Sequence, residues 1–332
     1  MKIGIIGGGS WGTTLAQVLY DNGHESYIYD ISSINVDKIN NHIHPFFETQ
    51  LPKDIKATNS LEKVINFSNY ILLAVPTAVM RDVLSKISNL LTEKTYFINV
   101  SKGIEPETFN RISEIVSQEI PDEFLGGYVA LVGPSHAEET IKRKLTLLTA
   151  ASENEELAIK VQEVFSNSVY MRVYRTTDLI GAEVGGSAKN AIAVVSGVAT
   201  GLELGENARA ALITRGIVEI VRCVEAMGGE RETAFGLTGI GDLIVTASSE
   251  NSRNFQAGKR IGQGVPLEQI FSESKMTIEG IRSIIALHEL SVEKGFELPI
   301  ITTAYNVLFN KLEVKKAITL LLTRDLKDEK SD

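Results

Sequence analysis

The opening stretch of the chain limits its fold more than any other. Lys2–Ile6 is an apolar run of strand length that passes directly into Gly7-Gly8-Gly9-Ser10-Trp11-Gly12, after which Thr13-Thr14-Leu15-Ala16 resumes with a helical pattern. Gly7, Gly9 and Gly12 therefore fill a G-x-G-x-x-G pattern between a strand and a helix. The first glycine permits the tight turn, the second lets the backbone approach a pyrophosphate, and the third lets helix and strand pack closely, with phosphates at the helix N-terminus. A lone match is weak. Here Asp30 ends the second apolar run about 20 residues further on, where the ribose-binding acid of a dinucleotide site belongs. Ser10 and Trp11 lie within the turn, and Trp11 suits packing beside it as well as contact with a cofactor. Asp30 is also placed to cap a turn or helix.

The rest of the first half supports the same fold class. Runs at 3–6, 26–29, 70–75, 96–100, 128–132 and 145–150 are nearly continuous in apolar residues and bounded by Gly, Pro, Asn or Ser, as strands covered on both faces are. Segments 13–22, 78–91, 107–118 and 153–165 carry apolar residues at three- and four-residue spacings, which suits crossover helices. A last strand is expected at 169–174. Beyond Thr177-Asp178 the strand signals fade, and helical patterns take over at 178–200, 206–227, 267–271, 281–294 and 300–309. A chain of 332 residues exceeds the usual single domain. The expectation is an α/β Rossmann domain with a mostly parallel sheet over 1–177, followed by an all-α domain over 178–332.

Composition narrows the function classes. A net charge of −9 argues against a broad nucleic-acid surface. An anionic ligand must then be held by a few placed cations. No stretch reaches the ~18 uninterrupted apolar residues of a membrane span, and the N-terminus lacks the pattern of a leader. The single cysteine, Cys223, excludes an intramolecular disulfide and suits packing in a reducing compartment. A cytoplasmic protein is expected. His24, His42, His44, His136 and His288 show no spacing that makes a metal cage, with His42 and His44 read as parts of a polar loop, so no metal is expected.

Five further segments break the rules that core or surface residues obey. Val100-Ser101-Lys102-Gly103 puts a lysine at the carboxyl edge of the sheet, where open α/β folds bind ligands; a solvated loop lysine would read the same way. Gly133-Pro134-Ser135-His136-Ala137-Glu138 is another small-residue turn opening a short helix, facing the same crevice. Lys189 lies among Gly185, Gly186, Ser187, Ala188, Ala191 and Ala193, with Glu183 as the nearest acid in sequence. Burial lowers a lysine pKa and an opposing carboxylate restores it, so such a lysine can be a poised proton donor or an ordinary buried stem. Asp242 is a single acid among glycines in Leu237-Thr238-Gly239-Ile240-Gly241-Asp242, with Thr246 on its face if the stretch is helical. Ser252-Arg253-Asn254 then opens a helix with a serine cap, an arginine and backbone N–H groups, which makes a phosphate site; a capped surface helix with a solvated arginine is the plainer reading.

Taken with Gly185-Gly186-Ser187-Ala188-Lys189-Asn190 and Glu279-Gly280, these motifs resemble the NAD(P)-dependent glycerol-3-phosphate dehydrogenase family of bacterial type, in order and over nearly the whole chain. The resemblance implies reversible hydride transfer between a nicotinamide and C2 of a three-carbon phosphate, supplying glycerophospholipid synthesis. It implies Lys189 as proton donor and acceptor with Asp242 beside it and Lys102 in the catalytic set. Lys102, Gly133, Ser135, Asn190, Thr246, Ser252, Arg253 and Asn254 would line the substrate. Ser10, Trp11, Lys102, Ala137, Arg253, Thr277 and Glu279 would touch the cofactor. The expected partners are a small phosphorylated substrate and, through the helical domain, a second copy of the chain. One departure bears on the cofactor: relatives carry basic residues after the second strand, where this chain has Ile31 and Ser32, and Lys38 is the first cation to follow. NAD(H) is therefore expected in preference to NADP(H). Two other readings share the pattern. One is a β-hydroxyacid dehydrogenase, which would hold a carboxylate; the other is a non-catalytic dinucleotide sensor, which would not need both lysines and Asp242.

Overall fold

The computed structural model describes residues 1–332 apart from 106–107, 274–277, 327 and 330–332. The chain divides into two compact units, one of Met1–Lys102 with Asn110–Leu179, the other of Gly103–Phe109 with Ile180–Asp332.

The first unit is built on eight strands: β1 (Lys2–Ile6), β2 (Glu25–Tyr29), β3 (Lys56–Thr58), β4 (Tyr70–Leu73), β5 (Thr95–Asn99), β6 (Leu125–Val132), β7 (Thr146–Ala151) and β8 (Met171–Thr176). They form one sheet in the order β3-β2-β1-β4-β5-β6-β7-β8. All neighbours run parallel except β6 and β7. Side chains alternate between two covered faces, as the period of two in a strand requires. Ile3, Ile5, Leu72, Ile98, Val129 and Leu131 pack with Leu15, Val18 and Leu19 of helix Ser10–Asp21. Ile6, Ile71, Leu73 and Phe97 pack on the other face with Met80, Leu84 and Ile87 of helix Met80–Ser88 and Ile112, Ile115 and Val116 of helix Ile112–Glu119. Strand order reverses between β1 and β4, so the crevice beyond their carboxyl ends is where an open sheet of this kind takes a ligand.

The α/β class and the mostly parallel sheet hold, with several local corrections. β3 is absent from the expected set because three residues with an exposed lysine carry too little apolar pattern. β7 and β8 begin one and two residues later than expected. The segment expected as a helix from 78 starts with a short 3-10 turn at Thr77–Val79. The reversal at β6–β7 has no signature in composition, since either orientation leaves both faces covered.

The second unit is helical among its described residues. Its main helices are Leu179–Gly201, Gly205–Ala226, Asp242–Ala247, Arg253–Gly262, Glu279–Lys294, Pro299–Phe309 and Val314–Leu322, the last not expected from the sequence. Val184, Ala188, Ala191 and Ile192 form the centre of its core with Ile220, Leu243, Ile281, Ile284 and Leu287. Helices Leu179–Gly201 and Arg253–Gly262 touch backbone to backbone. A Cβ on Gly258 would lie 1.9 Å from the Val194 carbonyl oxygen, and one on Gly197 would lie 2.1 Å from that of Phe255. That approach brings the segments bearing Lys189 and Arg253 together. No helix of the described residues is long and apolar enough to cross a membrane.

Candidate active site

In the first unit the carboxyl edge of the sheet carries the fingerprint turn. Gly7 has φ +113°, and a Cβ on Gly12 would lie 2.0 Å from the Gly7 carbonyl oxygen, so neither position admits a side chain. Nothing lies within 4 Å of where a Cβ on Gly9 would stand, which leaves open space at the start of helix Ser10–Asp21. Gly9 is the N-cap and no side chain caps the helix, so its first N–H groups remain available to an anion. That cradle fits a dinucleotide pyrophosphate.

Asp30, at the end of β2, is buried. Its Oδ2 accepts the Gly8 N–H at 2.7 Å and the Asn35 amide at 3.4 Å, and its Oδ1 accepts the Ser32 N–H at 2.7 Å. The carboxylate is thus both a turn cap and a fixed negative charge beside the glycine loop. Trp11 is half-buried and packs against the first core. Lys38, the first cation after β2, donates to the Pro45 carbonyl at 3.0 Å.

Lys102 follows β5 in a turn shaped by a residue the sequence did not flag. Asn99 is fully buried; its Oδ1 accepts the Ser101 N–H and its Nδ2 donates to the Ser101 carbonyl, both at 3.0 Å. Ser101 Oγ donates to the Val75 carbonyl at 2.6 Å, tying the turn to the end of β4. Lys102 Nζ then donates to the Gly133 carbonyl at 2.9 Å, and Ser135 Oγ to the same oxygen at 3.1 Å. Lys102, Gly133 and Ser135 therefore come together, with Ala137 opening helix Ala137–Thr140 just beyond. Buried Gln17 holds that segment in place by donating to the Ile141 carbonyl at 3.0 Å.

In the second unit Lys189 is 5% exposed, and its ammonium donates to Asp242 Oδ1 at 2.8 Å and Thr246 Oγ1 at 2.7 Å. Thr246 in turn donates to the Asp242 carbonyl at 2.6 Å, one helical turn back. Asp242 stands where the π-helical segment Leu237–Gly241 passes directly into helix Asp242–Ala247. Lys189 pairs with Asp242, 53 residues away in sequence.

Around this pair stands a frame of buried amides. Asn254 donates through Nδ2 to Asn190 Oδ1 and accepts the Gly280 N–H on Oδ1, both at 2.9 Å, so it ties together three helices, with Glu279 at the start of the third. Ser252 caps helix Arg253–Gly262 by accepting the Phe255 N–H. Arg253 is exposed and has no ion pair among the described residues. Thr277 lies outside the described residues. Among those described, no group of His, Cys, Asp and Glu could hold a metal ion.

Comparison with known proteins agrees with the sequence motifs. Residues 2–158 match the model for the NAD-dependent glycerol-3-phosphate dehydrogenase N-terminus, and residues 178–319 match that for its C-terminus. The chain is 64% identical over 329 residues to glycerol-3-phosphate dehydrogenase [NAD(P)+] of Acholeplasma laidlawii, covering 99% of each. It is 49% identical to the enzyme of the same name from Phytoplasma mali, again over 99% of each. The crystal structure of glycerol-3-phosphate dehydrogenase from Coxiella burnetii superposes with a TM-score of 0.91 at 32% identity, covering 97% of this chain and 99% of that one.

Proposed function

The chain belongs to the NAD-dependent glycerol-3-phosphate dehydrogenase family, and we propose that Lys189 gives and takes the proton in its reaction, the reversible reduction of dihydroxyacetone phosphate to glycerol 3-phosphate. The observation that carries this reading is a lysine ammonium held out of water by one carboxylate and one hydroxyl. When bound, the nicotinamide would supply C2 with a hydride, one proton carrying two electrons. As C2 is reduced its oxygen gains alkoxide character, and a fixed ammonium within reach both stabilises that charge and delivers the proton. Asp242 offsets the cost of keeping the ammonium buried, and Thr246 fixes its direction. Replacement of Asp242 by Asn tests this arrangement. The account expects kcat for dihydroxyacetone phosphate to fall at least ~10-fold while NADH affinity is kept; unchanged kcat would remove the pair from the chemistry.

The substrate phosphate is assigned to Arg253 and the N-terminal N–H groups of helix Arg253–Gly262, with Asn190 and Asn254 holding that end against the Lys189 helix. Lys102 and Ser135, which meet at Gly133, are assigned to the first unit's share of substrate contacts. Ser10, Trp11, Ala137 and Glu279 are assigned to the cofactor, with Thr277 carried over from the family resemblance alone.

The enzyme uses NAD(P), and the reading extends to a preference for NADH. A 2′-phosphate on the adenosine ribose would meet Asp30, whose charge is fixed by two short backbone contacts. Like charges that close cost roughly 1–3 kcal/mol after screening, which amounts to about 10- to 100-fold. Ile31 and Ser32 offer no compensating cation, and Lys38 is turned to Pro45. Comparing kcat/KM for NADH and NADPH on one preparation decides the matter, and parity or an NADPH preference would overturn it.

A further inference from the structure

We propose that His44 is a positioning residue for the dinucleotide, fastening the loop at 42–51 onto the first turn of the fingerprint helix; the inference rests on the cofactor reading of that turn. The loop is a closed hairpin. His44 N–H donates to the Thr49 carbonyl at 2.9 Å, the Leu51 N–H to the His42 carbonyl at 2.8 Å, and Ile43 bridges Gln50. At its centre the His44 ring is buried, at 1% exposure.

The ring's partners fix its tautomer. Nδ1 faces the N–H groups of Phe46 and Phe47, each at 3.2 Å, and can only accept. The proton therefore sits on Nε2, which points at the Ser10 carbonyl at 3.2 Å and at Thr14 Oγ1 at 3.4 Å. Thr14 gives its own hydroxyl proton to the same Ser10 carbonyl at 2.7 Å, leaving its oxygen to accept from the ring. A second ring proton would set a donor against two N–H groups. Burial likewise drives the pKa down to about 4, so the ring stays a neutral connector.

The point of attachment matters for the cofactor. The Ser10 carbonyl and the Trp11 N–H belong to one rigid peptide plane. Holding the carbonyl from the loop side fixes the direction of that N–H at the uncapped helix start, where the phosphates are expected. The His44 ring also stacks on Phe47, with centroids 4.5 Å apart, and Phe47 packs on the same core as Trp11. One side chain thus sets both the helix start and the apolar wall beside it.

The test separates the two ends of the ring. Gln at position 44 can reach Ser10 with an N–H but loses the contacts to Phe46 and Phe47; Asn can keep those contacts but falls short of Ser10. Trp11 is the chain's only tryptophan, so NADH binding is read directly from its fluorescence without substrate, alongside the melting temperature of the free protein. His44→Ala and His44→Asn are expected to weaken NADH binding about tenfold, as loss of a buried hydrogen bond would. His44→Gln should retain most of the affinity, and KM for dihydroxyacetone phosphate should not move in any of them. Equal NADH affinity for the Asn and Gln variants would overturn the proposal. So would a fall in melting temperature or active fraction with NADH binding unmoved. A failure of the Lys189 assignment would leave these binding results intact.

Discussion

Arg253 and Lys189 illustrate two uses of a cation in one unit. Lys189 is buried and doubly held, which suits a group that must meet a reacting oxygen in one orientation. Arg253 is exposed at a helix start, which suits capture of a phosphate arriving from water. Arg253→Ala is therefore expected to lower kcat/KM for dihydroxyacetone phosphate by roughly 2–4 kcal/mol, the cost of truncating one side of a charge pair. The rate with unphosphorylated dihydroxyacetone should hardly change. Equal losses for both substrates would deny Arg253 the phosphate. Asn254, which the family resemblance puts against the substrate, has its carbonyl and one amide hydrogen already committed to Gly280 and Asn190, so its larger contribution is to hold the helices in register.

At the scale of elements, helix Pro299–Phe309 is held by a carboxylate from another helix. Proline at its first position suits the helix start. Glu219 of helix Gly205–Ala226 then accepts the Ile300 N–H at 2.6 Å and the Ile301 N–H at 3.1 Å. Burial pushes its carboxyl up to about 7 against an ordinary 4.5, although the two N–H groups, Arg222 and Arg324 pull the other way. A carboxyl with a raised folded pKa binds its proton more tightly folded than unfolded. Its stabilising contribution is therefore full below about 4.5 and is lost as pH rises through about 7. Thermal melts should show the wild type losing a few degrees, roughly 1–2 kcal/mol, between pH 5 and 8 relative to Glu219→Gln. Parallel pH profiles for the two proteins would contradict this.

Across the whole molecule, the sequence displayed what is local and concealed what is made by distant pairs. The fingerprint is contiguous and its glycines have steric reasons visible residue by residue, so the sheet, the turn and Asp30 were legible. Lys189 stood out because its neighbours are small. Asp242 stood out as a lone acid among glycines, but its pairing with Lys189 came from the family resemblance alone, since the two are 53 residues apart, and the Asn190–Asn254 bond spans 64. His44 looked like part of a polar loop, because burial of its ring depends on a hairpin closing 34 residues away from Ser10. Gln17 carries no local signature either, since it works by meeting the backbone of another segment, whereas Asn99 acts locally on Ser101 two residues on.

The account as a whole turns on Lys189, and its most direct measurement is the pairing of steady-state rates with NADH affinity for Lys189→Ala. It predicts kcat for dihydroxyacetone phosphate reduced at least ~100-fold, the loss of a positioned general acid, in a folded protein whose NADH affinity is nearly unchanged. A folded variant with wild-type kcat would contradict it.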